Sequence, residues 1–81
     1  MIDVEDIYRK GKLMKLYREL MGVKQCDMSA ELKTQQGNYS KMERGLENPG
    51  WRFDAVRKKF EAWREQEIEI LNKQIEYLKN L

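Results

Sequence analysis

Residues 33–45, KTQQGNYSKMERG, decide how this chain folds. The stretch is polar almost throughout and holds a glycine near its middle, yet Tyr39 and Met42 stand three residues apart. That interval returns a side chain to the same face of an α-helix. Two apolar anchors would fasten such a helix by one edge. The rest of its surface would then carry Gln35, Gln36, Asn38, Ser40, Lys41 and Arg44.

Helical spacing continues on both sides. Upstream, Val23 leads into a helix over about 25–33, where Met28 and Leu32 lie one turn apart with small Ser29 and Ala30 between them. Small residues at that place let a neighbouring helix come close. A short break separates this helix from the next, over about 35–44, which Gly45 closes. Met14, Tyr17 and Met21, flanked by Leu13, Leu16 and Leu20, predict a first helix over about 6–21, capped by Gly22. Ile2, Val4 and Ile7 either extend it or pack as a short arm. The glycines at 11, 22, 37, 45 and 50 mostly punctuate helices, and Asn48-Pro49-Gly50 is a turn.

Nothing interrupts a helix from 52 to 80. Those residues would reach ~43 Å at ~1.5 Å each, longer than a domain of this size is wide. The apolar stripe changes phase along the way. Phe53, Val56, Phe60 and Trp63 are placed to close the core, while Ile68, Leu71, Ile75 and Leu78 follow at 3-4-3 spacing. That second set reads as a seam for another helix, or else as a hairpin-like return onto its own domain. Glu69 and Lys73 add a favourable i,i+4 pair on the exposed side.

The 81 residues suffice for one domain. A chain so small gains from idealised helix packing or from a partner subunit. The expectation is an all-α fold, with a head over 1–60 and a helical extension over 61–81 for dimerisation. The net charge of +2 is weak evidence for any partner, but its distribution is uneven. Lys33, Lys41, Arg44, Arg52, Arg57, Lys58 and Lys59 gather around the opening stretch. Glu61, Glu65, Glu67, Glu69 and Glu76 outnumber the cations beyond it. A lone cysteine, Cys26, gives no disulfide framework and fits a reducing cytoplasm. No apolar run approaches the roughly 18 residues of a membrane span, and no signal-peptide pattern opens the chain. Histidine is absent, as are metal-ligand clusters and phosphate-cradling glycine loops, so neither catalysis, a cofactor nor a metal is expected.

Gln25, Met28, Ser29, Leu32, Tyr39, Ser40, Met42, Glu43, Arg44, Gly45, Asn48 and Pro49 share the spacing of a known family. Over about 12–52 the chain resembles the Cro/cI-type, XRE-like helix-turn-helix domains, and SKMERGLENP is the most specific part. The resemblance implies a lambda-repressor-like head whose helix at ~35–44 enters the major groove of DNA. It implies base contacts from Gln35, Gln36 and Asn38, since amide side chains bond adenine N6 and N7 in pairs. Phosphate contacts fall to Gln25 with the amides of its helix start, and to Ser40, Lys41, Arg44 and Arg52. Lys41 is also placed for guanine, and Ser40 for a base edge. Glu43 and Arg44 more often stabilise the helix end and loop than touch bases.

The implied function is a sequence-specific regulator, repressor-like, acting in the cytoplasm as a homodimer on a palindromic operator. Its dimer seam would be Ile68, Leu71, Ile75 and Leu78. The alternative keeps the fold but makes its partner a protein, a toxin to be neutralised or a repressor to be inhibited. Some residues depart from the family pattern. Lys33 stands where the family commonly has a turn glycine, and a left-handed lysine costs about 1–2 kcal/mol, which puts the turn in doubt. Thr34 replaces an aliphatic residue and thins the core beneath the turn. Gly37 costs roughly 1 kcal/mol relative to alanine, for close approach to DNA or for a flexible helix start. One long helix follows Asn48-Pro49 where the family has two shorter ones, so the family's dimer geometry does not carry over.

Overall fold

The computed structural model describes residues 3–81. Four helices follow in chain order: α1 over Val4–Met21, α2 over Gln25–Glu31, α3 over Gln36–Glu43 and α4 over Trp51–Lys79. The fold is all-α. The Asp3 carboxylate starts α1 by accepting from the Glu5 amide at 3.0 Å, a first-turn cap. Val4 and Ile7 therefore extend the helix rather than forming an arm, and Ile2 lies outside the described residues. Gly22 ends α1 in the left-handed region at φ 72°, its amide donating to the Arg18 and Glu19 carbonyls.

The turn between α2 and α3 is tight. Lys33 takes φ 56°, so the left-handed bend survives without a glycine at that position. The Thr34 amide closes it on the Ser29 carbonyl at 3.0 Å. Thr34 itself is only half-buried, as a hydroxyl beneath a turn would be.

Met14, Met28, Leu32, Tyr39, Met42, Phe53 and Val56 form one buried cluster, drawn from all four helices. Leu13, Tyr17, Met21, Val23 and Ala55 pack against its margin. The predicted leucine stripe of α1 is narrower than expected: Leu16 and Leu20 remain about half exposed, because the inward side of α1 is centred on Met14. Gly11 explains why α1 and α3 come so close. A Cβ built there would meet the Met42 carbonyl oxygen at 2.3 Å and that of Glu43 at 2.9 Å. Only glycine admits that approach of backbone to helix.

Tyr17 stacks on Phe60 with ring centroids 4.5 Å apart, and Phe60 meets Trp63 at 5.7 Å. There the packing of α4 on the head ends. Every residue from 64 to 81 is exposed. The chain accordingly extends 56 Å along its longest axis, with a radius of gyration of 15.9 Å. A compact chain of this length would have a radius near ~12 Å. The tail does not return onto its own domain.

Candidate functional site

Three consecutive features set the outward face of α3. Tyr39 and Met42 are buried at 0% and 2% exposure, and Glu43 is buried beside them. These three lie on one side because residues three and four apart share a helix face. Gln36, Gly37, Asn38, Lys41 and Arg44 are left exposed, and Ser40 is half-buried at the edge. Gln35 occupies the N-cap in extended conformation, exposed and with no side-chain capping bond.

The amide residues do not form a single line. At ~100° per residue, Gln36, Ser40 and Arg44 make one row along the helix, whereas Asn38 stands ~160° from Gln36 on the opposite flank. Gly37 and Lys41 occupy the middle. A Cβ at Gly37 would meet nothing within 4 Å, so packing within the chain does not require a glycine there.

Beneath α3 lies a polar cluster that sequence spacing did not reveal. Arg18 Nε donates to Glu43 Oε2 at 2.6 Å, and Arg18 Nη2 donates to Oε1 at 3.1 Å. Arg18 Nη1 also donates to the Val23 carbonyl at 2.9 Å. The pair is enclosed, with side chains 11% and 2% exposed. Burial by itself would raise the Glu43 carboxyl, but the hydrogen bonds, Arg18's foremost, hold it below the ordinary glutamate range. The same bond to Glu43 raises Arg18 further, against the desolvation that opposes it. Burial, with the Glu43 carboxylate beside it, pushes the Tyr39 phenol well above its usual value. Its hydroxyl has no partner in hydrogen-bond geometry. Glu43 was expected to steady the helix end; it does so from inside the core, tying α1, α2 and α3 together.

Two of the expected phosphate ligands are engaged by the protein itself. Gln25 Nε2 donates to Glu43 Oε1 at 2.9 Å, so this amide supports the buried pair instead of standing free for a phosphate. Arg52 Nε donates to the Leu32 carbonyl at 3.1 Å, and its guanidinium lies 4.8 Å from the Trp51 ring centre. That places Arg52 at the end of α2, where a cation complements the helix dipole. A phosphate would find only its remaining N–H groups. Arg44 makes one long bond, Nε to the Ser40 carbonyl at 3.4 Å, and is otherwise exposed. Lys41 is exposed on the open face.

Between α1 and α3, a depression of about 440 Å³ opens beside the row of Gln36, Ser40 and Arg44. Lys12 and Lys15 of α1 line it opposite Ser40 and Arg44. Neither lysine is among the residues that carry the family spacing, the first of which is Gln25. Their relation to α3 appears only once Gly11 has brought the two helices together.

The tail forms a separate surface. Ile68, Leu71, Ile75 and Leu78 are 50%, 55%, 49% and 66% exposed, with nothing in the described residues covering them. Ile70, Tyr77 and Leu81 are exposed too, and helical geometry sets Ile70 and Tyr77 on the far side of Leu71 and Leu78. The apolar arc is therefore broader than the four-residue seam read from spacing. Among the described residues, no group of three or more His, Cys, Asp or Glu side chains is arranged to hold a metal ion. No described helix is long and apolar enough to cross a membrane. Cys26 is exposed on α2, its thiol 3.9 Å from an Asp27 carboxylate oxygen.

No family model, curated protein or solved structure matches the chain.

Proposed function

We propose that this chain is a sequence-specific DNA-binding regulator that inserts α3 into the major groove. The observation that carries the reading is the division of α3. Tyr39 and Met42 are buried, while Gln36, Gly37, Asn38 and Lys41 remain exposed on a helix already fastened to its scaffold. A reader of base edges needs hydrogen-bonding side chains on a rigid helix narrow enough for the groove. The resemblance to Cro/cI-type domains supports the same role, with repressor-like action.

Gln35, Gln36 and Asn38 are assigned to bases, and Lys41, Ser40 and Arg44 to bases' neighbouring phosphates. Gln25 and Arg52 act mainly through the protein, setting the angle of α2 and α3. Gln36→Ala is expected to weaken binding to the preferred duplex by about 1–3 kcal/mol, with little change on unrelated duplex. Fluorescence anisotropy on both duplexes at one salt concentration measures this; equal losses on the two would remove Gln36 from base reading.

The working unit is a homodimer joined along α4. The second half of α4 has no tertiary packing to support it, and its exposed isoleucines and leucines gain by pairing with a second copy. Ile68 and Ile75 alternate with Leu71 and Leu78, the alternation that favours two strands. Ending the chain after Gln66 is expected to give a monomer by light scattering, with the head still helical. A dimer of unchanged mass would place the contact elsewhere.

The breadth of the apolar arc favours one second reading, a protein-binding module whose partner is a toxin or a repressor. Salt separates the two. DNA affinity through phosphate contacts falls steeply with salt, whereas apolar docking does not.

A further inference from the structure

We infer that the depression between α1 and α3 is a clamp for a DNA backbone phosphate, with Lys12 and Lys15 supplying charge from α1. This rests on the DNA-binding reading above and extends its interface to α1, to which the resemblance assigned no contact.

The pocket is built, rather than a scatter of surface cations. Lys12 and Lys15 form one wall, Ser40 and Arg44 the other, and Glu43 lies at the base. Lys12 is steadied by the Tyr8 ring, with Nζ 4.6 Å from its centre. Lys15 has only a loose contact with Glu19, at 3.9 Å, and its side chain is 60% exposed. Neither interaction uses up the ammonium donors.

The carboxylate at the base would repel an anion if it stood alone. It does not. Arg18 meets both Glu43 oxygens, and Gln25 adds a second donor to Oε1. With that charge neutralised from below, Lys12, Lys15 and Arg44 leave the mouth of the pocket positive. The Ser40 hydroxyl adds a group able to donate to a phosphate oxygen.

Position points to a duplex as the source of the phosphate. Ser40 and Arg44 belong to the pocket and also to the row that begins with Gln36. Gln36 and Ser40 are ~6 Å apart along the helix axis. A strand whose base edge meets Gln36 therefore runs on past Ser40 and carries its backbone toward the two lysines. Filling the clamp would fix how deep α3 sits in the groove without reading sequence, as phosphate contacts do.

The test compares the wild type with the double variant Lys12→Gln/Lys15→Gln, in full-length chain, on the preferred and an unrelated duplex across a salt series. Both substitutions are on exposed positions, and circular dichroism checks that the helices persist. The double variant is expected to bind both duplexes more weakly by a similar factor. Its plot of log affinity against log salt should be shallower by about 1 per protomer. Lys79→Gln, at the far end of α4, should keep the wild-type slope. An unchanged slope in the double variant, with the wild type still binding steeply, would overturn the clamp and leave the DNA reading intact. An equal change in Lys79→Gln would also overturn it, by tracing the effect to overall charge. A wild type that binds no duplex at low salt would overturn the DNA reading and the clamp with it.

Discussion

Gly11→Ala is expected to remove about 3 kcal/mol or more of stability, read as a lower urea midpoint with an unchanged slope. The new methyl would have to occupy space already held by the Met42 and Glu43 carbonyl oxygens, at 2.3 and 2.9 Å. These are backbone atoms near the end of a helix, so no side-chain rotation relieves the clash. Either α1 moves off α3 or the last turn of α3 opens. A domain of this size has only ~4–12 kcal/mol in total, so the variant should be partly unfolded near body temperature. Gly22→Ala offers the comparison, because its position is strained by a positive φ yet has nothing within 4 Å. If Gly11→Ala were no worse than Gly22→Ala, the close crossing of α1 and α3 would be wrong.

The second large effect belongs to Arg18. Arg18→Met would leave the Glu43 carboxylate buried without its principal partner, a loss of roughly 3–5 kcal/mol. Gln25 would remain as a single donor, too little to replace a guanidinium that meets both oxygens. Adding Glu43→Leu should restore much of the loss, since the buried charge is then gone as well. The pH response gives a second readout. In the wild type the Glu43 carboxyl is held below the pH range in which an ordinary glutamate titrates, so the folded form binds this proton less readily than the unfolded one. Its contribution is thus complete above that range and is lost as the pH falls through the depressed folded value. In Arg18→Met burial would dominate and raise the carboxyl instead. The variant should then recover stability on mild acidification, as the pH falls through that raised value and before the wild type begins to lose any.

The helices themselves were legible because the chain marks their ends with residues that have few other uses. Gly22, Gly45 and Pro49-Gly50 stop or start elements where their backbone needs place them, and each observed boundary lies within two residues of the predicted one. The inward turn of Tyr39 and Met42 followed from their three-residue interval. What depended on contact between distant elements stayed hidden. Gly11 looks like any helix glycine until α3 is set against it. Arg18 and Glu43, 25 residues apart, look like two of many surface charges. Gln25 and Arg52 carried expected ligand roles because of where the family spacing puts them, but spacing cannot say whether a donor already has a partner inside the fold. Lys33 was legible as a problem and not as an outcome: the left-handed bend is kept, at φ 56°, with a lysine in it.

These particulars give the head a consistent logic. A buried ion pair and a glycine crossing fix α3 against α1, while the bends at Lys33 and Gly45 set where it begins and ends. The rigidity has a functional use only if the exposed row and the lysine-lined pocket meet one extended polyanion. In the proposed dimer α4 would join two such heads, and their symmetry would be mirrored in the target.

Selection of bound duplexes from a random DNA pool, at low salt with full-length protein, tests that account most directly. It predicts enrichment of one inverted repeat whose half-sites lie about one helical turn, ~34 Å, apart. Recovery of a pool no different from the input would contradict it.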